Sequence, residues 1–162
     1  MFYLFSLLII SFIIFYILNY NNDKPKMIYL GGASWGCAYY IGCYKGILKR
    51  WGNLKDIEIY GDSSGALVAL TMAIEMPIDK VIKIYKDLAL KAEKDGVMFK
   101  MTKYHNGSLD NILIDKDDYK KANKRLNIGI TTYHRNHIRI DEWKSNEDLR
   151  NDLHSSFHIP FY

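Results

Sequence analysis

Ile57-Glu58-Ile59-Tyr60-Gly61-Asp62-Ser63-Ser64-Gly65-Ala66-Leu67 is the stretch from which the rest of the chain can be read. Ile57 to Tyr60 is short, apolar and β-prone, whereas Ser64 to Glu75 is apolar on nearly every side and is stopped by Pro77. The pattern predicts a strand, a tight turn and a buried helix. Gly61-Asp62-Ser63-Ser64-Gly65 fits a nucleophile elbow, in which the central serine sits on a strained strand-to-helix turn and small neighbours let the backbone close. Ser63 holds the central position, so it rather than Ser64 is the candidate nucleophile. The plainer alternative is a Gly/Ser-rich turn in which Ser63 merely caps the helix.

Upstream, Met27-Ile28-Tyr29-Leu30 reads as a strand that stops at Gly31-Gly32-Ala33-Ser34. A helix follows, with Ala38, Ile41, Tyr44, Ile47, Leu48 and Trp51 at three-and-four spacing and Gly52-Asn53 as its stop. Two parallel strands joined by one helix make a right-handed crossover unit. That topology brings the turn after the first strand beside the elbow. Acyl transfer needs backbone N–H donors aimed at an oxyanion, and Gly31, Gly32, Ala33 and Ser34 are the candidates. The turn lacks the G-x-G-x-x-G spacing of dinucleotide folds and the Lys with Ser/Thr of a phosphate loop. No cofactor is expected.

Downstream, Ile78 to Lys94 reads as an amphipathic helix closed by Asp95-Gly96. Gly107 to Asn123 reads as a loop with a short charged helix, Leu126 to Thr131 and His137 to Asp141 as two strands, and Ser145 to Leu153 as a capped helix.

The bulk numbers bound the class. A chain of 162 residues suits one domain. Its 22 Lys and Arg against 18 Asp and Glu give a formal charge of +4, with no basic patch interleaved with aromatics, so no nucleic-acid partner is expected. Lys116 to Arg125 alternates acids with bases, as a solvated helix face does, and its modest positive charge would suit an anionic membrane surface. Cys37 and Cys43 have no second pair and no histidine at zinc spacing, so they read as reduced, buried thiols and no metal is expected.

Residues 1–20 carry no charged side chain and are mostly Leu, Ile, Phe and Tyr. This length and composition predict a transmembrane anchor in preference to a cleaved signal peptide, with residues 21–26 as a linker. Lys24, Lys26, Lys45, Lys49 and Arg50 follow the span, which by the positive-inside rule places the domain on the cytoplasmic side of a single-pass membrane protein.

From Met27 to Tyr162 the sequence resembles the patatin-like phospholipase family, in particular its adiponutrin-like branch. The resemblance rests on the glycine turn opening a helix, on Tyr60-Gly61-Asp62-Ser63-Ser64-Gly65-Ala66-Leu67, and on the strand Arg125 to Thr131. It rests also on Leu153-His154-Ser155-Ser156-Phe157-His158-Ile159-Pro160-Phe161-Tyr162, which is similar to that family's Ser-x-x-Ile-Pro segment. The resemblance implies an α/β fold, a three-layer αβα sandwich with a mostly parallel sheet, here preceded by one transmembrane helix. It also implies hydrolysis of fatty-acyl esters of membrane glycerolipids by a Ser–Asp dyad. The family's aspartate lies in an Asp-Gly-Gly or Asp-Gly-Ala motif after the Ile-Pro segment, and neither motif occurs in this chain. On that reading residues 27–162 are a patatin-like domain that stops short of its base, and a lipid-binding remnant without catalysis is the alternative. Asp95-Gly96 lies too early and ends a surface helix. A histidine triad drawn from Asp110, Asp115 or Asp141 with His134, His137, His154 or His158 would satisfy the chain order of an α/β-hydrolase. With so many acids and histidines that order arises by chance, and the histidines read as surface or loop residues. Asp62 reads as a solvated turn residue.

Overall fold

The computed structural model describes residues 24–158. The elements run β1 (Met27–Leu30), a 3-10 turn (Ser34–Cys37), α1 (Ala38–Trp51), β2 (Glu58–Asp62), α2 (Ser64–Ala73) and α3 (Ile78–Asp95). They continue with α4 (Met101–Ile112), α5 (Asp118–Ala122), β3 (Leu126–Thr131), β4 (His137–Ile140) and α6 (Asn146–Phe157).

The four strands form one sheet in the order β1-β2-β3-β4. The β1–β2 and β2–β3 pairs are parallel, whereas β4 returns antiparallel to β3 through a tight connection. Alternation along the strands decides which face is covered. Leu30, Ile59, Gly61, Leu126 and Ile128 are buried, while Met27, Tyr29 and Glu58, pointing the other way, are exposed. Helix α2 packs beneath β1, β2 and β3, and α6 packs on β3. Its ten residues are hydrophobic nearly all round, and eight are buried. Such a helix has no polar side to give to water, so it belongs at the centre of the core.

These observations correct the expected three-layer sandwich with a mostly parallel sheet. Among the described residues the domain is a small α/β unit with a mixed four-stranded sheet and six helices, of which α2 and α6 pack against the strands, while the sheet face of Met27, Tyr29 and Glu58 is exposed. Successive crossovers β1-α1-β2 and β2-α2-β3 step the sheet the same way, and crossovers of one hand that step the same way leave their helices on one side. Buried side chains from both elements and connections join into a single core cluster. Among the described residues no helix is long and apolar enough to cross a membrane. The transmembrane helix expected over residues 1–20, and with it the single-pass membrane protein with a cytoplasmic domain, is therefore not among the described elements, and that stretch lies outside the described residues.

Helix α4 was not expected. Met101–Ile112 contains Asn106, Gly107 and Asn111, all weak helix formers, and the segment from Gly107 reads as loop. Tertiary packing overrides propensity here, since Tyr104, Ser108, Leu109 and Ile112 recur at helical spacing and are all buried.

Candidate active site

Ser63 stands between β2 and α2 with φ 51° and ψ −130°. A non-glycine residue with positive φ is uncommon, and this combination lies outside even the left-handed helical region. The two glycines of the motif make the turn close. A Cβ at Gly61 would sit 2.4 Å from Ala66 Cα, and one at Gly65 would sit 2.2 Å from the Leu30 carbonyl oxygen. Neither contact can be relieved by a side-chain rotation, because both meet backbone. The helix-capping alternative does not hold, since the Ser63 side chain makes no cap hydrogen bond.

The strained turn is held from outside. Ser63 N–H donates to Ser156 Oγ at 2.8 Å, and Ser156 Oγ–H donates in turn to the Gly129 carbonyl at 2.8 Å. Helix α6 therefore fastens the elbow to β3. Ser64 is engaged elsewhere, its hydroxyl accepting the Ala33 N–H at 3.0 Å. This leaves Ser63 as the motif serine whose hydroxyl is not used to hold the turn.

The glycine turn lies against the elbow, as the crossover requires. A Cβ at Gly32 would lie 3.4 Å from Ser63 Cβ and 4.0 Å from its Oγ. Gly31 ends against the aromatic side chains of Tyr29 and Tyr40. Ala33 spends its N–H on Ser64, which leaves Gly32 and Ser34 as the candidate oxyanion donors of the turn. Ser34 has φ 49° and opens the 3-10 turn. Tyr85 on α3 donates its hydroxyl to the Trp35 carbonyl at 2.7 Å, and the Trp35 ring meets Tyr85 and Tyr104 edge to face. The start of α2 points its first N–H groups and its positive dipole end at the same place, with the Ala66 N–H donating back to the Ser63 carbonyl at 2.8 Å.

Ser63, Ser64 and the turn residues Gly32, Ala33 and Ser34 form one wall of a cavity of about 320 Å³. Leu67 and Val68, Ile84 and Leu88, and Ile112 and Phe157 supply much of the rest. Such a size and such an apolar lining suit a hydrocarbon chain. Cys37 is on the wall too, and burial pushes its thiol up to about 11, so it is not a thiolate at neutral pH. Among the described residues no group of acids, histidines and cysteines could hold a metal ion.

Where, then, is a base? No aspartate or glutamate among the described residues lines the cavity. Asp62, next to Ser63, faces the open side of the sheet. There it accepts Arg139 Nη1 at 2.6 Å and Nη2 at 3.3 Å, together with the Tyr29 hydroxyl. The Arg139 guanidinium lies 5.5 Å from the Tyr29 ring centre and 5.7 Å from that of Tyr60. Asp62 is thus a paired sheet residue, not the solvated turn residue its position suggests. The hydrogen bond to Asp62 raises the Tyr29 pKa, and burial and the carboxylate charge add to the effect.

None of the acids or histidines considered for a triad lines the cavity. Asp110 pairs with Arg150 and Asp115 with Lys121, while His137 lies 3.6 Å from Asp62 on the open face. Asp95-Gly96 closes α3 with Gly96 at φ 74°. The histidine that does line the cavity is His105 on α4. Burial pushes its imidazole down to about 4, the charge of His154 adds to this, and its ring centre is 4.6 Å from that of Phe157. The sequence reading assigns residues 97–106 to no element, so no periodicity pointed His105 toward Ser63.

Comparison with protein-family models, with curated proteins and with solved structures finds no match for this chain.

Proposed function

We propose that the protein is a serine acyl hydrolase acting on fatty-acyl esters, with Ser63 as nucleophile. The observation that carries the reading is the strained Ser63 backbone, φ 51° and ψ −130°, set on the wall of an apolar cavity. Strain at one residue persists only where the surroundings enforce it, and such residues cluster at sites of function. The resemblance to patatin-like lipid hydrolases supports the same reading. In the proposed reaction Ser63 Oγ attacks the ester carbonyl and the acyl chain occupies the cavity. Gly32, Ser34 and the start of α2 surround the developing oxyanion. The alcohol leaves with the serine proton, and water then releases the acid.

A lipid-binding role without turnover is the second reading, and the absence of a carboxylate among the described cavity residues favours it. An unassisted serine hydroxyl is a weak nucleophile at neutral pH. A fluorophosphonate probe and a fluorescent fatty acid separate the two. Covalent labelling that Ser63→Ala abolishes is the hydrolase outcome. Fatty-acid binding with no labelling leaves the second reading standing, and absence of both would end each of them.

A further inference from the structure

We infer that the α3–α4 turn, with the adjoining face of α3, is a surface that docks on an anionic lipid bilayer. Met98 and Phe99 are consecutive, 70% and 75% exposed, and lie in the turn between the two helices. Phe99 has φ 59°, a true outlier for a bulky side chain, so the turn presents an apolar ring to solvent at a conformational cost. Leu90 on α3 is 63% exposed and has Lys86 and Lys94 four residues to either side, on the same helix face.

The surrounding charge has one sign in excess. From Ile78 to Lys103 the chain has seven lysines against the four acids Asp79, Asp87, Glu93 and Asp95. Lys94, Lys100 and Lys103 flank the apolar tip, and Lys100 is tied back to the Asp95 carbonyl. Large exposed apolar side chains with exposed lysines on both sides of them in sequence match an interface of acyl chains beneath anionic headgroups. A protein partner would seat such residues in a pocket of its own, and nothing in the flanking lysines selects for one.

The position is informative as well. Met101, two residues after Phe99, lines the Ser63 cavity, as do Ile84 and Leu88 of α3. A bilayer seated on this turn would meet the cavity wall directly. The surface is independent of turnover, since it would serve a hydrolase and a lipid-binding protein alike.

The test uses the full chain carrying Phe99→Trp, mixed with vesicles whose acyl chains are brominated, so that a tryptophan in the hydrocarbon region is quenched. The expected result is quenching beyond that of the parent on vesicles containing phosphatidylglycerol, and little on pure phosphatidylcholine. Tyr133→Trp, on the β3–β4 connection and 97% exposed, is expected to stay at the parent level. Replacing Lys94 and Lys103 with Gln should weaken the anionic-vesicle response about fivefold per lysine. Met98→Trp repeats the measurement if Phe99→Trp does not fold. Parent-level signals at both 98 and 99, equal quenching on the neutral vesicles, or equal quenching at 133 would each overturn the inference. None of these readouts needs an active serine, so failure here leaves the hydrolase reading where it stood.

Discussion

Ser63 and Ser156 are 93 residues apart in sequence and joined by a hydrogen bond of 2.8 Å from the Ser63 amide to the Ser156 hydroxyl. The hydroxyl passes the link on to the Gly129 carbonyl, so the elbow, α6 and β3 are tied at one atom. Ser156→Ala is expected to leave the Ser63 amide unsatisfied and to lower stability by about 1–3 kcal/mol. The same change should slow fluorophosphonate labelling, whereas Ser155→Ala, whose hydroxyl donates to the Asn151 carbonyl within α6, should do neither. Urea unfolding and labelling rates measure the two effects.

Strain at Ser63 predicts an inverse relation between stability and reactivity. Ser63→Gly removes the penalty of positive φ and should be more stable than Ser63→Ala by about 1 kcal/mol, although both lack the proposed nucleophile. Thermal unfolding of the pair checks this, and an equal midpoint would argue that the turn is relaxed.

The glycines divide into two kinds. Gly65→Ala forces a methyl to 2.2 Å from a backbone oxygen, so it should cost at least about 3 kcal/mol and prevent folding in a marginal domain. Gly42, exposed within α1 with no atom within 4 Å of its would-be Cβ, behaves oppositely. Gly42→Ala should add about 0.5–1 kcal/mol by raising helix propensity. Yields and denaturant midpoints of the two variants give the comparison.

The legible part of the fold was local. Period-two and period-three-to-four patterns place the strands and the helices α1, α2 and α3 close to where they lie, and the elbow stands out because each of its residues obeys a local rule. The layering was not legible. Met27 and Tyr29 are apolar yet point to the uncovered face, so the composition of β1 does not mark that face as open. Neither the Asp62–Arg139 pair, 77 residues apart, nor the Ser156 bridge has any local signature. His105 was hidden for a related reason, because Asn106 and Gly107 weaken the helical pattern that sets it on the cavity wall.

His105 gives a pH dependence of definite sign. Its imidazole is held down near 4 by burial, against an ordinary value of 6.5. The unfolded chain therefore binds the extra proton first as pH falls. Stability from this group is present above about 6.5 and is lost as pH drops toward 4, to the extent of about 1–2 kcal/mol after allowance for partial solvent screening. His105→Phe should flatten that limb of the profile in chemical denaturation at pH 7 and pH 4.5. An unchanged slope would assign it to other groups, such as His154, which burial and Arg150 also depress.

The one-sided helical layer also sets which neighbours of Ser63 can influence it. Asp62 follows Gly61 along β2, so its side chain emerges on the opposite side of the sheet from the buried Gly61 row. Gly129 leaves the gap through which Arg139 reaches it, for a Cβ there would sit 1.8 Å from Asp62 Oδ1. The sheet thus works as an electrical partition, with the charged Tyr29–Asp62–Arg139 group on one side and the apolar cavity on the other. The two halves of the same five-residue motif can consequently be altered separately, one through the ionic surface and the other through the chemistry.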